Sequence, residues 1–197
     1  MEKVRIILIR DFRKKALWIL GSVLFWVLMF STSSYFIHNH PELKTSAKRV
    51  TEYSSYKSSE GGFAFNYPST FALTPQNFPG GEIPYHVDLR DTAGSGYGYV
   101  QIWNLSLPLQ EFLAKSKEAS RLTYKYFNSR KVKVNGFTGY SWDYSFLGGN
   151  HTYYKGNEVF LEGKNQMYRI SYFMPESQWN DTQKEIFTTM VRSFNKF

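Results

Sequence analysis

Four aromatic side chains, Tyr140, Trp142, Tyr144 and Phe146, alternate along one run with Gly139, Ser141, Asp143 and Ser145. A period of two puts every ring on one face of an extended strand and every small or polar residue on the other, a separation that a helix cannot reproduce. The same alternation recurs in Phe63, Phe65 and Tyr67, ended by Pro68, and again in Tyr85, Val87 and Leu89. The run from Tyr97 to Leu105 is apolar on both faces, as a central strand covered on both sides should be. Residues 153–162 and 166–174 read as a hairpin turning at Gly163, Lys164 and Asn165, with Tyr168, Ile170 and Tyr172 on one face.

Two stretches follow the helical period instead. Leu109, Phe112 and Leu113 form an apolar patch after Ser106, a candidate N-cap, and Pro108 stands in the first turn, where its missing N–H costs nothing. That helix should fray near Arg121. Towards the end of the chain Ile186, Phe187, Met190, Val191 and Phe194 recur at helical spacing behind Asn180 or Asp181 as cap. Strands outnumber helices, so the expectation for residues 58–197 is an α+β domain, a central antiparallel sheet with helices packed on it. The 17 Phe, 15 Tyr and 5 Trp supply its core.

Ahead of that domain the 22 residues from Ala16 to Ile37 carry no charge. As a helix they would span about 33 Å at about 1.5 Å per residue, enough for a hydrocarbon core of about 30 Å. The sequence therefore predicts an N-terminal transmembrane helix at 16–37, with the lipid bilayer as its partner. Bulky Tyr35, Phe36 and Ile37 extend the apolar run and no Ala-x-Ala pair follows it, which favours an uncleaved signal anchor over a cleaved signal peptide; Ser31 to Ser33 are the small residues that cleavage would use. Residues 1–15 hold six basic side chains against Glu2 and Asp11, a tail that should stay in the cytoplasm and send the rest of the chain across the plasma membrane, single-pass. Residues 38–57 read as a polar stalk. His38 and His40 there form a His-x-His pair with no third ligand near, so no metal site is expected.

The charge distribution narrows the function classes. The net charge is +8, yet residues 58–197 carry 14 basic against 12 acidic residues, so the excess lies mostly outside the foldable region and a nucleic-acid partner is not expected. Zero Cys closes disulfides, thiolate metal sites and Cys nucleophiles. One local cluster stands out: Lys115, Lys117, Arg121, Lys125, Arg130, Lys131 and Lys133 face only Glu118 across residues 115–133. They are the candidate contacts for an anionic surface, against the simpler reading as a solvated helix face and loop.

The order of five segments resembles the PsbP-like domain family: GGFAFNYPSTFAL from Gly61 to Leu73, LSLPLQEFL from Leu105 to Leu113, VKVNGFTGYSWDY from Val132 to Tyr144, the VFLEGKNQMYRISYF hairpin, and the closing FTTMVRSFNKF. The resemblance covers nearly all of residues 58–197. It implies an α/β/α sandwich, shared with Ran-binding nuclear-import proteins, and looks most like the bacterial anchored members. A photosystem role is not implied, because the chain keeps a membrane span and lacks a transit peptide. Fold does not carry function across such a family.

Motifs of chemistry are absent: no Gly-x-Ser-x-Gly, Walker A loop, His-Glu-x-x-His or EF-hand loop occurs. Gly94, Gly96 and Gly98 miss the dinucleotide spacing by one residue and precede a strand, so they read as a turn. His86 and His151 are the candidate general bases of the domain, with Asp88, Asp91 and Asp143 as candidate orienting carboxylates. His86 alternates with core positions and is expected to face outward. The sequence thus predicts a membrane-anchored, extracytoplasmic binding or assembly module with a membrane or cell-envelope protein as partner, no cofactor and no catalysis. The alternative is an extracytoplasmic small-molecule-binding protein or a hydrolase using His86 or His151.

Overall fold

A computed structural model describes residues 52–149 and 151–197. The alternating segments become strands, in chain order β1 (Tyr53–Ser58), β2 (Phe63–Pro68), β3 (Phe71–Asn77), β4 (Tyr85–Asp91), β5 (Tyr97–Asn104), β6 (Tyr124–Val134), β7 (Phe137–Leu147), β8 (Tyr153–Gly163), β9 (Gln166–Pro175) and β10 (Asn195–Lys196). Helix α1 (Leu109–Glu118) follows β5 and helix α2 (Asp181–Ser193) follows β9. Seven strands make one antiparallel sheet in the order β3-β4-β5-β9-β8-β7-β6, while β1, β2 and β10 make a separate three-stranded sheet.

Strand alternation gives the large sheet two buried faces. On the first, Val87, Val100, Ile170 and Val159 lie in one cross-strand row and Tyr85, Ile102, Tyr168 and Leu161 in the next. Against this wall pack Phe63 and Phe65 of β2 and Ile186, Phe187, Met190 and Val191 of α2, with Phe194, fully buried, wedged between the Phe63 and Tyr168 rings at 5.7 and 5.4 Å. Asn180 caps α2 as its side chain accepts from the Gln183 N–H, and Ser193 Oγ accepts from the Asn66 N–H of β2, tying helix to small sheet. On the second face α1 buries Leu109 and Leu113 and leans Phe112 on Trp103, ring centroids 5.6 Å apart.

These observations correct the expected fold class. A transmembrane helix is no part of the described fold: among the described residues no helix is long and apolar enough to cross a membrane, α2 being the longer at 13 residues. Residues 16–37, on which that expectation falls, lie outside the described residues, as do the basic tail 1–15, the His-x-His pair and most of the stalk. The α/β/α sandwich is also corrected. The described fold is dominated by strands, and the layer opposite α1 is a three-stranded sheet beside a single helix. The expected stalk 38–57 overreaches, because Tyr53–Ser58 pairs with β2 over its whole length; Tyr56 adds its ring to Phe63 and Phe65, so this segment gains burial by joining the fold. Helix α1 starts after Pro108 with no side-chain cap, so Ser106 does not cap it, and it ends at Glu118.

Candidate functional site

The second face of the large sheet is where polar chemistry collects. Register places Tyr99 of β5 opposite Ser171 of β9 and Ser171 opposite Glu158 of β8, with Gln101 between His86 of β4 and Arg169 of β9. These side chains share the face that α1 covers. Glu158, 1% exposed, accepts at Oε2 from Arg169 Nε (2.7 Å) and Ser171 Oγ (2.5 Å), forms an ion pair there with Arg169 Nη2 (2.6 Å), and accepts at Oε1 from the Tyr144 hydroxyl (2.7 Å). The Arg169 guanidinium lies over the Tyr99 ring at 5.0 Å and the Phe160 ring at 5.4 Å. Burial alone would disfavour its charge, but the adjacent Glu158 carboxylate and the Tyr99 and Tyr144 rings hold its pKa above the ordinary value. Burial, then the Glu158 charge, pushes the Tyr144 hydroxyl well up; burial likewise raises Tyr99. Both Glu158 oxygens are engaged, so this is a closed charge network that holds three strands together.

A second network runs beside it. Trp103 Nε1–H can only donate, and it donates to Gln101 Oε1 (2.9 Å). That contact turns the Gln101 amide so that its NH₂ donates to His86 Nδ1 (2.8 Å). With Nδ1 an acceptor, the ring carries its proton on Nε2 and donates it to Asp88 Oδ1 (2.9 Å). His86 is therefore fixed in one tautomer with both nitrogens occupied. It is also 6% exposed, which corrects its expected outward placement: alternation located the correct face, but that face is itself covered.

The remaining acid and base candidates do not converge. His151 is exposed in the β7–β8 turn at φ 59°, and β5 and β9 separate β4 from β8. Asp91 accepts from the Ala93 N–H (3.0 Å) in the β4–β5 turn, and burial raises its carboxyl pKa. Asp143 lies on the opposite face of the sheet, where it takes Lys155 Nζ at 2.9 Å and the Tyr126 hydroxyl at 2.9 Å. Only His86 and Asp88 meet. Glu158 and Arg169 were missed at the sequence level; the available signal was a carboxylate directly before the apolar run Val159, Phe160 and Leu161 and a lone guanidinium within the mostly apolar strand β9 of the same hairpin. Among the described residues no group of three or more His, Asp or Glu is placed to hold a metal ion.

The seven basic residues divide. Lys115 pairs with Glu111 one helical turn away (2.7 Å), and Lys125, at the β-bulge of β6, pairs with Glu176 (3.0 Å). Lys117 on α1 sits 4.3 Å above the Phe127 ring. Lys131 and Lys133 project on the α1 side of β6, the side on which Tyr140, the cross-strand neighbour of Lys131, donates to Gln110 of α1, whereas Arg130 projects on the α2 side. Arg121 is exposed in the connection from α1 to β6. Elsewhere, a half-open groove of about 270 Å³ lies at one end of the strands, among Gly61, Asn77, Tyr85, Ile102, Tyr168 and Lys196.

No family model matches the chain, and no curated protein matches it by sequence. Solved structures do match in fold. The solution structure of cyanobacterial PsbP (CyanoP) from Synechocystis sp. PCC 6803 is similar over 80% of this chain and 100% of its own, with 15% identity and a TM-score of 0.51. The structure of a point mutant of the protein Mog1 is similar over 74% of this chain and 96% of its own, with 10% identity and a TM-score of 0.51. The chain therefore has a PsbP-like fold.

Proposed function

We propose that this domain is a non-enzymatic binding or assembly module that works outside the cytoplasm. The observation that carries the proposal is the state of His86. Of the two candidate bases His86 and His151, it is the one that meets a carboxylate, and both of its nitrogens are committed inside the sheet, to Gln101 and Asp88, leaving none to exchange a proton with a substrate. What faces solvent instead is an edge strand with cations on both sides, a surface for recognition. The likeness in fold to CyanoP over the whole of that chain supports a module of this type. Location outside the cytoplasm rests on the sequence of residues 1–37, a charge-free run behind six basic residues.

The test is in-cell crosslinking of the full-length protein beside a variant whose first 37 residues are replaced by a cleavable signal, together with His86→Ala and His151→Ala in the native background. One stoichiometric protein partner, with unchanged cellular phenotype in both histidine variants, is the expected result. Absence of any captured partner, or loss of phenotype in a histidine variant that remains folded, overturns the binding reading. A reporter active only outside the cytoplasm, fused after Phe197, should be active; activity of a cytoplasmic reporter there instead refutes the location.

A further inference from the structure

The large sheet ends on two very different edges. At one end β3 is short and carries Pro75, which removes a backbone donor from the middle of the strand. At the other end β6 runs for 11 residues without Pro or Gly, bonded to β7 alone among the described strands. Its outer row of N–H and C=O groups is a template for one more strand.

The side chains along β6 decide which strand could use it. Lys131 and Lys133 stand on the α1 side, where Lys117 lies over the Phe127 ring earlier along the same strand, and Arg130 stands on the α2 side. Lys115 and Lys125 are already neutralised by Glu111 and Glu176; these four have no acidic partner within ion-pair distance among the described residues. The cations therefore straddle the strand. A flat anionic bilayer would meet one side at a time, so this arrangement suits it poorly. A second copy of this chain pairing on the same edge would set Lys and Arg against Lys and Arg, a like-charge contact that disfavours self-association. An added strand with carboxylates on both of its faces meets a cation on each.

We propose that β6 is a docking edge for an extended acidic segment of a partner protein, which adds to the large sheet as an eighth strand through main-chain hydrogen bonds, with Lys131, Lys133 and Lys117 reading its carboxylates on one face and Arg130 on the other. This rests on the binding-module reading and narrows it to a partner chemistry. The inference can fail while a different surface still binds a partner, so the two fail separately.

The probe is an 11-residue fluorescent peptide with paired glutamates spaced by valine and threonine, so that both strand faces carry charge, titrated against the full-length protein by polarisation at low and physiological salt. A second peptide of the same sequence is N-methylated at alternate amides, which keeps the charge and removes one row of donors. Binding of the first peptide, about tenfold weaker or worse for the N-methylated one, with new hydrogen-exchange protection confined to residues 124–134, is the expected result. Lys131→Glu with Lys133→Glu should weaken binding by about tenfold or more, whereas Lys164→Glu with Lys184→Glu, the same change of net charge away from the edge, should not. Circular dichroism establishes that both variants fold. Equal binding of the two peptides overturns the proposal in favour of unspecific charge attraction. Binding to phosphatidylglycerol vesicles but to neither peptide overturns it in favour of a lipid surface. Binding to none of them makes the cations a guard on the edge and also overturns it.

Discussion

Replacing Arg169 by Met tests the buried charge network directly. The substitution keeps most of the side-chain volume over Tyr99 and Phe160 but removes a charge-assisted hydrogen bond to Glu158 at 2.7 Å and the ion pair at 2.6 Å. Such a hydrogen bond contributes about 1.5–3 kcal/mol. The Glu158 carboxylate, 1% exposed, would keep only Tyr144 and Ser171 as donors and no positive charge. Breaking a buried pair from one side costs about 3–5 kcal/mol, a large share of the about 5–15 kcal/mol that holds a domain of this size together. Thermal unfolding followed by circular dichroism should fall by about 10 °C, at about 2–4 °C per kcal/mol. The double variant Glu158→Gln, Arg169→Met removes both charges and leaves the glutamine oxygen for Tyr144 or Ser171, so it should recover most of that loss, a coupling of about 2 kcal/mol or more by a double-mutant cycle. A single variant that costs under about 1 kcal/mol, or a double variant that costs the sum of the singles, would refute the assignment of this network as a closed structural unit.

Three further outcomes follow from other parts of the domain. Burial raises the Asp91 carboxyl in the fold, so the folded state holds that proton more tightly than the unfolded chain; ionised Asp91 lowers stability at neutral pH, and the penalty disappears as pH falls through the folded pKa to below the unfolded one. Asp91→Asn keeps an oxygen for the Ala93 N–H and should raise the melting temperature at pH 7 but not at pH 3; an equal effect at both would rule out the charge as cause. Gln101→Leu strips partners from both Trp103 Nε1 and His86 Nδ1 and should cost about 2–4 kcal/mol in urea unfolding. Nitrogen NMR of the unmodified protein should show His86 with Nδ1 bare and Nε2 protonated, and the reverse tautomer would contradict the relay.

Much of the sheet could be read directly because its strands bury at least one full face: the Tyr140 to Phe146 alternation and the Tyr97 to Leu105 run stand where their periods put them, and the hairpin expected to turn at Gly163, Lys164 and Asn165 is present with Gly163 taken into β8. Strands β3 and β6 escaped because they are edges. In β3 only Phe71 is buried, and in β6 four cations among 11 residues erase the alternation, since an edge strand has little to pack against. The site was legible only in part for a different reason. Period two assigns His86 to a face but is silent on what covers that face, and the cover comes from Trp103 and from α1, distant in sequence. Glu158 reads as an ordinary surface charge until β9 brings Arg169 and Ser171 alongside. The basic cluster looked like one stripe because sequence distance hides the strand geometry that sends Arg130 one way and Lys131 the other.

The pairing of β10 with β2 sets an order for biosynthesis. β1 and β10, the first and last strands described, flank the same partner, and Phe194 fills the gap between β2 and the large sheet. Strands β3 to β5 and strands β6 to β8 each pair with their sequence neighbours and can form as they emerge, whereas β9 alone joins the two groups and closes the large sheet. The small sheet closes later still, because β10 and Phe194 follow β9 in the chain. Until Phe194 and Lys196 have emerged, the apolar face of the large sheet has no complete cover, and exposed surface of that kind is what aggregates during folding.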